Sequence, residues 1–271
     1  MGVVTGHQLF INLAYFIHLI QNKFLKHSEK DIEGLRKSGR IVARVLLEMI
    51  NVLKPGITTF QLDQTAGKFL KLFKANSAPR KMGFPGNTCI SVNEIIAHGI
   101  PNKSVLKCGD RVNIDVSAEH KGYYSDVAYT VILGDSNHET NKLLECAKRA
   151  TLKAVSMSVA GICVNRISKI IEEIAREDDF TVIKNLCSHG VGTQLHAFPE
   201  NIVNYYDPEE TLILEEGMVI AWEPYISTCA VRAIETENEW NLTTHNKSDV
   251  AQFEHTVLVT GGKPEILTTL G

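Results

Sequence analysis

One series of short signals occurs twice along the chain in the same order, and it limits the possible architectures more than any single motif does. Gly56-Ile57-Thr58 opens one apolar-periodic helix and Gly161-Ile162-Cys163 opens another. His98-Gly99-Ile100-Pro101 is answered by His196-Ala197-Phe198-Pro199. Each H-x-x-P precedes two strand-like runs, each with one carboxylate in apolar surroundings: Asp115 and Asp126 first, Glu223 and Glu254 second. Any one of these matches arises easily by chance. Four in one order indicate an ancestral duplication, in which two similar halves about a pseudo-twofold axis bring both carboxylate pairs to one central cleft.

Hydrophobic periodicity fills in the elements. Ser28 and Asp31 form an S-x-x-D helix start, and Ile32, Leu35, Val42, Leu46 and Met49 then share one face. A second helix follows Pro55-Gly56, with Leu62, Ala66, Phe69, Leu70 and Phe73 inward, and two more are predicted over 139–159 and 163–177. Strands are expected near 88–97, 111–118, 123–133, 218–226 and 250–260. The mixture is α/β (α+β) in class. With 271 residues, 44% of them hydrophobic, the chain suits one globular unit or two halves fused on a shared core.

A net charge of −3 argues against nucleic acid as a partner. Six cysteines without a C-x-x-C pair read as free thiols of a reducing compartment. Residues 9–20 are apolar but too short to span a bilayer, and Lys23, Lys26 and Lys30 follow the run where a signal peptide carries its charge before it. Residues 1–27 are therefore expected to be a non-catalytic extension, either an appended helix or sequence upstream of the true start. The alternative is a helix for a membrane surface or a partner.

The carboxylates carry the chemistry. Residues 112–129 read as two strands joined by a turn, and a loop centred on His120-Lys121 places Ala118 opposite Tyr123 and Asp115 opposite Asp126. Like charges so placed destabilise a sheet, and buried ones share a proton unless a cation lies between them. A single buried acid is more often a salt bridge or a backbone cap. No Lys or Arg occurs in 218–226 or 250–260 to neutralise Glu223 and Glu254, so the four together point to metal. Of the ten histidines, His98 and His196 stand out through the repeated motif, and His189 through its setting in Ser188-His189-Gly190-Val191-Gly192. The other seven, including His255, read as surface or satisfied core residues. Carboxylates with one imidazole suit Mn²⁺, Fe²⁺, Co²⁺ or Zn²⁺, and no cysteine is needed.

These residues resemble the type I methionine aminopeptidases. The resemblance runs from about Asp31 to the C-terminus through TCISVNEIIAHGIP, VNIDVSAEHKGYYSDVAYTV, HGVGTQLH, EGMVIAWEP and FEHTVLVT. It implies the pita-bread fold, with antiparallel strands of two pseudo-symmetric halves (about 31–135 and 139–260) around a dinuclear metal site in one catalytic domain, 28–271. It implies that Asp115, Asp126, His189, Glu223 and Glu254 ligate two divalent ions, with Asp126 and Glu254 bridging. Glu223 is then also the proton carrier. His98 and His196 contact substrate, and Phe84, Cys89, Leu195 and Trp240 line a methionine pocket. The implied activity is removal of the initiator methionine from nascent proteins by a cytoplasmic monomer, in proximity to the ribosome, with no nucleic-acid recognition and no transmembrane segment. Ser188, where the family usually has Gly, and Ala197, where it often has Glu, are departures that leave every ligand in place. Two other functions fit the fold: cleavage before proline, whose enzymes usually carry a large extra N-terminal domain, and a non-enzymatic binding module that has lost its ligands.

Overall fold

The computed structural model describes residues 27–270, and the apolar run at 9–20 lies outside them. Helix α1 (Glu29–Val52) starts at Ser28, whose hydroxyl accepts from the Asp31 amide while Asp31 Oδ2 accepts from the Ser28 amide at 2.9 Å. Helix α2 (Thr59–Leu72) repeats this capping box with Thr58 and Gln61. A short α3 (Ala78–Lys81), which periodicity does not reveal, lies between the first two strands of the first sheet. Helices α4 (His138–Ser156) and α5 (Val164–Glu177) belong to the second half.

Among the strands, β1 (Asn76–Ser77), β2 (Cys89–Val92), β3 (Arg111–His120) and β4 (Tyr123–Ile132) form a four-stranded sheet. Next in the chain come β5 (Thr181–Val182), β6 (Cys187–Gly190), β7 (Ala197–Val203), β8 (Val219–Trp222) and β9 (Tyr225–Ser227). Beyond them lie β10 (Ala233–Glu235), β11 (Leu242–Thr244), β12 (Val250–Gln252), β13 (His255–Leu258) and β14 (Glu265–Ile266). The main second sheet runs β14-β13-β8-β6-β7, and β12-β9-β5 forms a smaller one. Val42, Val45, Leu46 and Met49 of α1 and Leu62 and Ala66 of α2 pack against Val112, Ile114 and Val116 of β3. In the second half α4 and α5 bring Leu143, Ala147, Ala150, Ile167 and Ile171 against Ile220, Trp222 and Val257. Tyr129 packs on both clusters.

The two halves repeat individual hydrogen bonds. The Gly56 amide donates to Leu106 O at 2.8 Å and the Gly161 amide to Leu214 O at 2.8 Å, with φ of 94° and 90° at the two glycines. Leu133 N donates to Asp110 O at 2.9 Å, as Val259 N does to Met218 O at 2.8 Å. Counting inward from those pairs, Asp115 matches Glu223, while Glu254 matches Ala128 and not Asp126. The halves part at their strand connections. Lys121-Gly122 joins β3 to β4, whereas the corresponding stretch between β9 and β12 holds β10, β11 and Trp240.

Two expectations are corrected. Asp115 faces Ala128 and Asp126 faces Ser117, so the carboxylates are diagonal neighbours on one face and not directly opposed. The turn is centred one residue later than expected, because Lys121 and Gly122 both adopt positive φ, 54° and 88°, as a two-residue type I′ hairpin turn requires. The runs 218–226 and 250–260 are also not continuous strands. Each breaks at its glutamate, β8 giving way to β9 at Glu223-Pro224 and β12 to β13 at Phe253-Glu254. Pro224 has no N–H for a ladder, and the chain changes sheet at both points.

Gly122→Ala forces a side chain into the left-handed region and is expected to cost about 1 kcal/mol, read as a lower urea midpoint. Gly261→Ala, where an added Cβ meets nothing within 4 Å, is the control and leaves the midpoint in place.

Candidate metal centre and substrate cleft

Five acidic or imidazole side chains from both halves cluster together: Asp115, Asp126, His189 and Glu223 line one cavity, and Glu254 lies buried beside Asp126 and His189. Asp115 comes from β3, Asp126 from β4 and His189 from β6, while Glu223 and Glu254 stand at the two sheet changes. Ligand atoms of Asp126, His189 and Glu254 all lie within 4.8 Å of one another. Glu223 Oε1 is 3.3 Å from His189 Nε2. His189 Nδ1–H donates to the Gly190 carbonyl at 3.0 Å, so in the neutral imidazole Nε2 is the lone-pair nitrogen facing the carboxylates.

Packing these groups together out of water has a clear electrostatic signature. Burial, and then the charge of Glu223, pushes Asp115 up to about 7. Burial and neighbouring carboxylates hold Asp126 and Glu254 well above the usual carboxylate range. Burial alone would lower His189, but the hydrogen bond and charge of Glu223 outweigh it and raise the imidazole. Glu254 Oε1 is buried with no hydrogen-bond partner among the described residues. An acceptor-only oxygen in that position, next to other carboxylates and an imidazole lone pair, fits a divalent cation.

Gln252 carries no motif in the sequence, yet it organises the cluster. Its Nε2 donates to Glu223 Oε2 at 3.4 Å and to Glu254 Oε2 at 3.3 Å, while Asn113 Nδ2 donates to its Oε1 at 2.7 Å. Its only signal in the sequence is position, two residues before Glu254.

His98 and His196 line the same cavity. Burial holds His196 down at about 4 and lowers His98 as well. The His189 and His196 rings meet edge to face, with centroids 4.4 Å apart. The cavity that these residues line holds about 120 Å³, and Phe84, Cys89, Leu195 and Trp240, together with Pro79 and Met82, make its apolar side. The last two come from α3 and its C-cap, where no periodicity or motif marks them as pocket residues. Phe84 and Trp240 form an edge-to-face pair at 5.2 Å. Cys89 sits opposite Asp115 across β2 and β3, which sets the pocket floor beside the carboxylates. On the other side lies a chamber of about 380 Å³ that shares His98, His189, His196 and Glu223 and adds Asn185, Cys187, Glu200, Asn201 and Tyr225.

The remaining described histidines stay out of the cluster. His255 is held by Thr268 Oγ1 at 2.9 Å and faces the Tyr129 hydroxyl at 3.3 Å. His120 contacts Lys74 O at 3.2 Å, His27 bonds the Val191 backbone, and His138 and His245 are exposed. His7 and His18 lie outside the described residues. Ser188, one of the two departures, is fully buried, and its hydroxyl accepts from the Glu223 amide at 3.0 Å. Ala197, the other, pairs with Gly190 at the start of β7. All six cysteines are unpaired. No helix among the described residues is long and apolar enough to cross a membrane.

Carboxyls with raised folded-state pKa bind protons that the unfolded chain releases, so they cost stability as pH rises. Between about pH 7.5 and about pH 8.5 the unfolded histidines are nearly all neutral, which leaves Asp115, Asp126, Glu254 and His189, with the Cys89, Cys146 and Cys187 thiols, raised by burial, acting in the same direction. The chelated protein is therefore expected to lose melting temperature over that window, and added Mn²⁺ to remove much of the loss. A melting temperature that is flat or rising with pH in chelator contradicts this electrostatic reading.

The chain matches metallopeptidase family M24 over residues 33–261. It is 45% identical over 245 residues to methionine aminopeptidase 2 of Bacillus subtilis (strain 168), covering 90% of this chain and 98% of that protein. The crystal structure of methionine aminopeptidase from Thermotoga maritima superposes with a TM-score of 0.88 at 34% identity, covering 91% of this chain and 100% of that one. A prolidase from Pyrococcus horikoshii OT3 shares the fold, with a TM-score of 0.73 at 23% identity, and this chain spans 66% of its length. The pita-bread architecture, the buried carboxylate–imidazole cluster and these similarities together show that the chain belongs to metallopeptidase family M24 and, within it, to the methionine aminopeptidases.

Proposed function

We propose that this chain releases the initiator methionine from newly made proteins by hydrolysing their first peptide bond, with two divalent metal ions held by Asp115, Asp126, His189, Glu223 and Glu254. In this reading Asp126 and Glu254 would be the residues that help to hold both ions. The observation that carries it is the position of the cluster between a small apolar pocket and a larger, more polar chamber. A pocket with room for one side chain suits a residue that has nothing before it in the chain. The chamber takes the rest of the substrate chain.

When bound, the ions supply Lewis acidity and lower the pKa of water in the site. Mn²⁺, Fe²⁺, Co²⁺ and Zn²⁺ all suit an oxygen-rich set with one imidazole. Glu223 takes the proton of the attacking water and passes it to the departing amine. Gln252 on one oxygen and His189 beside the other keep its carboxylate turned into the cavity. His196, kept neutral by burial, presents an N–H to the oxygen that gains charge as the carbonyl becomes tetrahedral. His98 hydrogen-bonds the substrate amide beside the scissile bond. Phe84, Cys89, Leu195 and Trp240 enclose the methionine side chain, with burial keeping Cys89 a neutral, polarizable thiol.

Residues 28–271 act as one catalytic domain whose halves span about 31–135 and 139–260, with 1–27 outside it. The chain is taken to act as a monomer. Nascent N-termini as substrate, together with six free thiols, support work in the cytoplasm close to the ribosome.

The metal-loaded protein is expected to release methionine from Met-Ala-Ser and to leave Xaa-Pro peptides intact, with activity lost in chelator and in Asp126→Ala. Cleavage before proline would keep the metal site and refute the methionine pocket. His196→Ala is expected to lower kcat about 100-fold with metal content unchanged, and an unchanged kcat would remove His196 from the chemistry.

A further inference from the structure

Ser188 is buried immediately before His189, lines neither cavity, and yet touches the catalytic strand break. The β6–β8 ladder pairs His189 with Ala221 and Gly190 with Ile220 and stops there. On its other edge β6 is irregular, with a register shift between Ser188 and Gly190. At this point β8 ends and the chain turns through Glu223-Pro224, so the Glu223 amide has no partner in the ladder. Ser188 Oγ accepts from it at 3.0 Å and donates its own proton to Asn204 Oδ1 at 2.7 Å. Asn204 is also fully buried, and its Nδ2 donates to Leu186 O at 3.4 Å, which turns Oδ1 toward Ser188.

The direction of these bonds matters. A serine hydroxyl that has given its proton to an amide oxygen can only accept from a backbone N–H, so Asn204 sets Ser188 as an acceptor for Glu223. Gln252 and His189 hold the carboxylate end of the same residue. Resting on the proposed role of Glu223 as ligand and proton carrier, we infer that Ser188 and Asn204 are positioning residues. They fix the backbone of Glu223 and through it the placement of its carboxylate for metal binding and proton transfer. Because Pro224 has no N–H, the Glu223 amide is the backbone donor available for that purpose at the break.

The test uses the full chain with Ser188→Ala, Asn204→Ala, the double variant, and Ser188→Thr, which keeps the hydroxyl. Four quantities are read: Mn²⁺ affinity by calorimetry, kcat and KM on Met-Ala-Ser, and the melting temperature of the chelated protein. Ser188→Ala is nearly isosteric, and it is expected to lower kcat about 10-fold and to weaken Mn²⁺ affinity, with KM little changed. Asn204→Ala acts in the same direction. The double variant is no worse than Ser188→Ala, because one hydrogen-bond chain serves both residues. Ser188→Thr recovers most of the loss. A lower melting temperature with unchanged kcat and Mn²⁺ affinity would make the pair merely structural and overturn the inference, as would additive losses in the double variant. Absence of methionine release by the unsubstituted, Mn²⁺-loaded protein would instead refute the functional reading beneath it.

Discussion

Four carboxylates converge beside one cleft, two of them almost wholly out of reach of water. Asp126 and Glu254 are almost fully enclosed, and Glu254 keeps one oxygen with no hydrogen-bond partner among the described residues. Such a group either holds protons or holds a cation. Much of the structure around it serves to bring the acids together despite that cost. Two acids arrive on adjacent strands of the first half and two at sheet changes of the second, and the Glu254 amide donates across the halves to Ala128 O at 2.8 Å. The helices pack on the outer faces of the sheets and give each half its own apolar core.

The duplication supplies the scaffold, and departures from it supply the function. Asp115 and Glu223 occupy matching places, but the match for Glu254 is Ala128, and the acid of the first half stands two residues earlier at Asp126. The offset suits the diagonal geometry of β3 and β4, where Asp115 and Asp126 share a face without standing directly opposite. Where the first half uses a two-residue turn, the second inserts the β10–β11 segment. Leu242 of that segment bridges to Ala97, beside His98, and its Trp240 closes the apolar pocket against Phe84. An insertion in one half thus builds a wall of a site that lies between both.

Most of this is legible in the sequence because it is written in local signals. Helix starts at Ser28 and Thr58, the periodic faces of α1 and α2, and charges in otherwise apolar runs need no tertiary knowledge to find. The hairpin register expected from sequence is one residue off, although Gly122 signals the correct turn: a glycine at the second central position suits a type I′ turn better than His120-Lys121 does. Hydrophobicity masks the strand breaks, since the runs around Glu223 and Glu254 stay apolar across the change of sheet. Pro224 is the available clue. Met82, Pro79 and Asn204 carry no local signature at all, and Gln252 has only its place two residues before Glu254. Their importance comes from which distant residues the fold sets beside them, as Asn113 beside Gln252 and Ser188 beside Asn204.

We propose that the buried acids hold two cations, both reached by Asp126 and Glu254. Anomalous diffraction from crystals grown with Mn²⁺ tests it directly. The account predicts two peaks in the cavity, both within ligand distance of Asp126 and Glu254, one of them also reached by His189. A single peak, or two peaks that share neither Asp126 nor Glu254, would contradict it.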